Sequence, residues 1–93
     1  RHHTELLKLE RPGTYPLYEW CVSPLTSKAY PPYPVEQDLA VRVPGSLYSE
    51  RNFGMVEVSG PPDNRQLVLK RYNVQGKENW RFVIRARDLI PQP

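Results

Sequence analysis

Few side chains in this sequence have the type and spacing to do chemistry. His2 and His3 stand together at the amino-terminal end, just before Glu5-Leu6-Leu7-Lys8-Leu9, a run that reads as a strand. A histidine in a loop entering a strand is well placed to bind a metal. The strand fixes the backbone, and the loop lets an imidazole nitrogen turn into a cleft. Two imidazoles cannot complete a tetrahedral or octahedral shell, so the remaining ligands would have to come from elsewhere. Nucleophilic catalysis lacks its parts. Cys21, the single cysteine, lies in the apolar run Trp20-Cys21-Val22 and reads as a small core residue rather than a thiolate. No serine sits in a nucleophile-elbow context, the carboxylates are scattered singly, and no glycine loop is built to cradle phosphate. One cysteine also excludes an intrachain disulfide framework and every multi-cysteine metal site. This chain therefore holds no complete catalytic set.

The elements that position these residues are strands. Eleven prolines in 93 residues are spread along the chain, and each proline inside a helix costs ~3 kcal/mol. Long helices are thereby excluded. Glu5–Leu9 is a first strand, followed by a Pro12-Gly13 turn. Residues 15–22 are rich in aromatic and β-forming side chains and suit a buried strand, with Pro16 at its beginning. Residues 23–46 form a long excursion punctuated by Pro24, Pro31, Pro32, Pro34 and Pro44-Gly45, with one helical turn predicted over 34–40. Tyr30, Tyr33 and Tyr48 are expected to cover apolar surface there while keeping their hydroxyls wet.

The last forty residues predict an antiparallel meander. Residues 53–59 form one strand, ended by the turn cluster Gly60-Pro61-Pro62-Asp63-Asn64. Residues 65–74 form the next, with Leu67 and Leu69 on one face. After Gln75-Gly76-Lys77, residues 79–87 return with Trp80, Phe82 and Ile84 on one side. Arg81, Val83, Arg85 and Arg87 lie on the other, the period-two mark of a half-buried strand. The expected fold is mainly β: a small antiparallel meander or sandwich in one domain, residues 1–93. Residues 65–87 carry seven Lys or Arg against one acid, while residues 1–64 carry six basic and eight acidic side chains. The arginines share the face opposite the aromatics, as a solvated sheet face does, so nucleic acid is not the expected partner.

Composition narrows the class further. Hydrophobic residues make up 39% and charged residues 25%, and the mean hydropathy is −0.65, the profile of a soluble protein. No apolar stretch approaches the ~20 residues of a bilayer-spanning helix, and no signal-peptide core is visible. The chain opens on Arg1 and its only methionine is Met55, which reads as a piece of a longer protein.

A longer pattern resembles a known family. The run Arg1-His2-His3-Thr4-Glu5-Leu6, then Tyr15-Pro16-Leu17-Tyr18-Glu19-Trp20-Cys21-Val22-Ser23-Pro24-Leu25-Thr26, is similar to the carboxy-terminal segment of PhoD-like alkaline phosphatases, which are calcineurin-like metallophosphoesterases. Pro44-Gly45-Ser46-Leu47, Glu50-Arg51-Asn52-Phe53-Gly54 and the hairpin from Leu67 to Trp80 resemble that family's closing region. The similarity covers essentially all 93 residues. It implies that Arg1 is the x of a Gly-Asp-x-His motif and His2 the family's metal-coordinating histidine, with His3 a neighbour of the metal shell. The Gly-Asp pair and the other metal-site motifs would lie upstream, outside this chain.

The resemblance further implies an α/β metallophosphoesterase parent. It would use iron with calcium, zinc or manganese to hydrolyse phosphate esters, with a bacterial periplasmic or secreted location. Residues 1–22 would end its catalytic core, residues 23–46 would be the excursion and residues 47–93 the terminal meander. This chain would be structural, burying Val56, Val58, Leu67, Leu69, Trp80, Phe82 and Ile84. Its partners would be the upstream core or, for the isolated piece, further copies of itself. The competing expectation is a free-standing β-sandwich module that binds protein or carbohydrate on the tyrosines of residues 30–48. A basic nucleic-acid binder using residues 65–87 is a third.

Overall fold

Alternation along the chain sets up two small antiparallel sheets. The computed structural model describes residues 3–26, 28, 29 and 39–90. Strands β1 (Glu5–Leu9) and β2 (Leu17–Cys21) pair as a hairpin, with Leu6 opposite Trp20 and Lys8 opposite Tyr18. On its other side β1 is flanked by residues 41–48. Val43 N–H donates to the Leu6 carbonyl at 2.8 Å, and Thr4 and Tyr48 exchange bonds of 2.8 and 2.9 Å. Strands β3 (Asn52–Ser59), β4 (Gln66–Asn73) and β5 (Glu78–Arg85) follow as the expected meander, in the order β3-β4-β5. The β3–β4 turn depends on Gly60. Its φ is +90°, and a Cβ there would stand 2.4 Å from the Asn64 carbonyl oxygen, so no side chain fits. The peptide bond before Pro24 is cis. Among the described residues no helix is long and apolar enough to cross a membrane.

The two sheets meet through one apolar cluster. Leu6 from β1 is fully buried against Leu69 of β4 and Ile84 of β5, and Tyr18, Trp20, Val43, Leu67, Trp80 and Phe82 pack around them. Burying one such side chain is worth ~1.5–3 kcal/mol. The aromatics meet at angles and in stacks: Tyr18 and Phe82 lie 5.9 Å apart between ring centroids, Trp80 and Phe82 6.0 Å. Trp20 reaches across to β3 because position 54 has no side chain. A Cβ on Gly54 would fall 2.7 Å from Trp20 Cη2 and 3.2 Å from Val22 Cγ2. Gly54→Ala is therefore expected to push the indole aside at a cost of ~1–3 kcal/mol, read as a lower Tm with altered tryptophan emission. An unchanged Tm would show that the ring moves freely.

Three expectations need correcting. Val56 and Val58 are not buried; they are 54% and 66% exposed, because the hairpin layer covers β4 and β5 while β3 projects past it. The last strand stops at Arg85. Residues 86–88 turn into a short 3-10 segment, which takes Arg87 off the strand. Pro16 precedes β2 rather than opening it, and Val22 lies beyond its end. The helical turn over 34–40 falls largely outside the described residues, as do Tyr30 and Tyr33.

The outward face of the meander is charged as its alternation implies. Lys70 pairs with Glu57 across β3 and β4, and Arg81 grips Glu78 with bonds of 2.7 and 2.8 Å. The Arg81 bonds hold the Glu78 carboxyl below its usual range, and the carboxylate in turn raises Arg81. Phe53 and Tyr72 stack on the same face, 5.0 Å apart.

Candidate functional site

The entry to β1 is where buried polar chemistry concentrates. His3, Thr4 and Glu5 are only 3%, 0% and 2% exposed, an unusual depth for a histidine and a glutamate. They stay there because each finds partners across the chain. Glu5 Oε1 accepts from Arg42 Nε at 3.0 Å, and Glu5 Oε2 lies 3.3 Å from His3 Nε2. That second contact is at ion-pair distance without hydrogen-bond alignment, and the imidazole nitrogen has no hydrogen-bond partner. Cys21, opposite Glu5 in the hairpin, points its thiol at the His3 carbonyl, 3.6 Å away.

Thr4 ties the segment to two distant loops. Its hydroxyl stands 2.8 Å from Asn52 Oδ1 and 3.1 Å from the Ser23 carbonyl, and accepts from the Ser23 N–H at 3.0 Å. The buried Asn52 amide completes the link by donating to the Ser23 and Glu50 carbonyls. Two residues further on, Ser46 Oγ accepts from the Leu6 N–H at 3.0 Å. The Ser46 carbonyl in turn accepts from Arg71 Nη1 at 3.0 Å. Arg71 is 5% exposed, clamped between the Tyr48 ring (4.3 Å) and the Trp80 ring (5.5 Å). Burial lowers its guanidinium pKa, and Tyr48 partly opposes that shift. Tyr48 is thus an internal partner of Arg71 rather than an open stacking platform.

Of the two histidines singled out from the sequence, His2 lies outside the described residues and His3 lies against Glu5. Among the described residues no group of three or more His, Cys, Asp or Glu side chains is arranged to hold a metal ion. His3 and Glu5 bring two donor groups together, and one carboxylate oxygen is already engaged by Arg42.

Thr4, Glu5, Arg42, Ser46 and Asn52 were not singled out by sequence reasoning, since isolated polar residues give no periodic signal and their partners lie far along the chain. Arg71 did have one: it shares the 67, 69, 71 parity, which places it on the inward face. The cation count of residues 65–87 therefore overstates their surface charge. Arg71 is internal, and Lys70 and Arg81 are paired. A further concavity of about 660 Å³ opens beside the turn after β4, lined by Lys28, Glu50, Arg51, Asn73 and Gln75 among others. It mixes both signs of charge. Compared with known proteins, the chain matches no family model, no curated protein and no solved structure.

Proposed function

We propose that this chain is the carboxy-terminal part of a metal-dependent phosphoric ester hydrolase of the PhoD-like kind, and that by itself it is a structural piece without catalysis. The likeness of residues 1–26 and 44–80 to that family's closing segment is the basis of the reading. The observation that carries it furthest is the depth at which His3, Thr4 and Glu5 are held. Backbone and side-chain bonds from three separate segments fix the residues that directly follow His2, as a rigid mount for a ligand requires.

The described residues do not themselves make a metal site. Two donor groups, one of them bound to an arginine, fall short of the three protein ligands a catalytic metal takes. In a complete enzyme the bound metal would polarise the phosphoryl group and supply hydroxide. The contribution of this chain is positional: Glu5 and Arg42 lock β1 to residues 41–43, and Thr4 and Asn52 lock it to Ser23.

Two measurements test the reading. The coding sequence ahead of Arg1 is expected to specify Gly-Asp, and any other pair there removes the motif. The 93-residue chain, supplied with calcium, iron, zinc or manganese, is expected to turn over neither p-nitrophenyl phosphate nor its bis ester. Turnover that disappears in His2→Ala would place a working centre within the chain and refute its structural role.

A further inference from the structure

We infer that β3 is a pairing edge for a second copy of this chain, the two β3 strands running antiparallel about a two-fold axis with Val56 opposite Val56. The inference does not depend on the phosphatase reading. It starts from the two edges of the meander. β5 carries Arg81 and Arg85 along its open side, and its register with β4 shifts between Arg71 and Tyr72, both features that discourage strand addition. β3 has neither. It runs eight residues with no proline, no lysine and no bulge. Its single charge, Glu57, is paired with Lys70 of β4. Met55, Val56 and Val58 are each more than half exposed, at 52%, 54% and 66%.

The backbone says which groups are available. The Asn52 N–H donates to the Pro24 carbonyl at 2.9 Å, so the N–H and C=O groups of 52, 54, 56 and 58 point away from β4. Position 52 is occupied by Pro24. Gly54, Val56 and Val58 have no backbone partner on that side among the described residues.

Three two-fold registers pair at least two of these positions with one another. Centring on Met55 sets Val58 against Asn52 of the other copy and runs into Pro24. Centring on Glu57 sets two carboxylates directly opposite, which is destabilising. Centring on Val56 avoids both. Glu57 then faces Met55, and Val58 faces Gly54, the position without a side chain where the half-buried Trp20 ring lies. The most exposed valine of each copy is thereby set beside the other copy's indole. A single strand pair is expected to bury less than the ~800 Å² a side of a standard interface, so the dimer should be weak and concentration-dependent.

Sedimentation equilibrium of the 93-residue chain is expected to show monomers converting to dimers as the concentration rises toward millimolar. Val58→Lys, a change on an exposed side chain, should leave the circular dichroism and Tm in place and yield monomers throughout. In a Cys21→Ser background, Val56→Cys should form a disulfide-linked dimer on mild oxidation, while Met55→Cys should not. A monomer at millimolar concentration overturns the inference, as does a dimer indifferent to Val58→Lys. Cross-linking through Met55→Cys in place of Val56→Cys overturns the register.

Discussion

Glu5→Ala is expected to destabilise the chain by ~3–5 kcal/mol, because it breaks a buried ion pair by removing one member. The Glu5 carboxylate is 2% exposed and the Arg42 side chain 8% exposed, joined at 3.0 Å, with His3 Nε2 on the other oxygen. Removing the carboxylate leaves Arg42 with most of its desolvation and without its 3.0 Å ionic contact to Glu5. Small domains have only ~5–15 kcal/mol of stability in total, so the loss is a large share of what holds this molecule folded. The diagnostic is the double variant. Glu5→Leu with Arg42→Leu removes both charges, and replacing a buried ion pair by apolar groups is often neutral or stabilising. Urea unfolding should therefore show the double variant no less stable than the worse single one. Costs that simply add would mean that the two residues act separately and that the pair does not hold β1 to residues 41–43.

Leu6→Ala carries a cost of the same order for a different reason. Leu6 is the only side chain of β1 in the central cluster and is fully buried between Leu69 and Ile84. Truncation forfeits the transfer energy of its methyl and methylene groups and leaves a cavity, together ~2–5 kcal/mol. The two layers touch chiefly through this residue and its aromatic neighbours, so collapse around the gap is limited and the upper half of that range is expected. Leu6→Met, which nearly conserves volume, should cost less than ~1.5 kcal/mol. Equal losses for the two variants would place the coupling between the sheets somewhere other than Leu6.

The strands were legible in the sequence wherever one face met the core and the other met water. Trp80, Phe82 and Ile84 against Arg81 and Arg85 is that pattern, and Glu5–Leu9 was delimited by its turn residues. What alternation cannot show is how far a covering layer extends. Val56 and Val58 have the parity of Leu67 and Leu69, yet the β1–β2 hairpin does not reach them. Nor does alternation show that a charged side chain will be buried when its partners are distant in the chain. Glu5 and Arg42 are 37 positions apart, and Thr4 and Asn52 are 48 apart. The candidate site was visible only as two adjacent histidines. The network that fixes the segment around them is built from residues whose types carry no local signal.

That same cluster of Leu6, Leu69 and Ile84 draws on the opening and closing stretches of the chain at once. A nascent polypeptide leaving the ribosome can pair β1 with β2 and with residues 41–48 early, but within this chain the apolar cluster is not complete until β5 has cleared the exit tunnel. Contacts that span most of the length form slowly, since the loop must close before any reward comes. The inner face of the first hairpin, Trp20 and Tyr18 included, thus waits for its β5 partners during synthesis, and a message cut short before residue 80 would deliver that hairpin without Trp80, Phe82 and Ile84 to close the cluster.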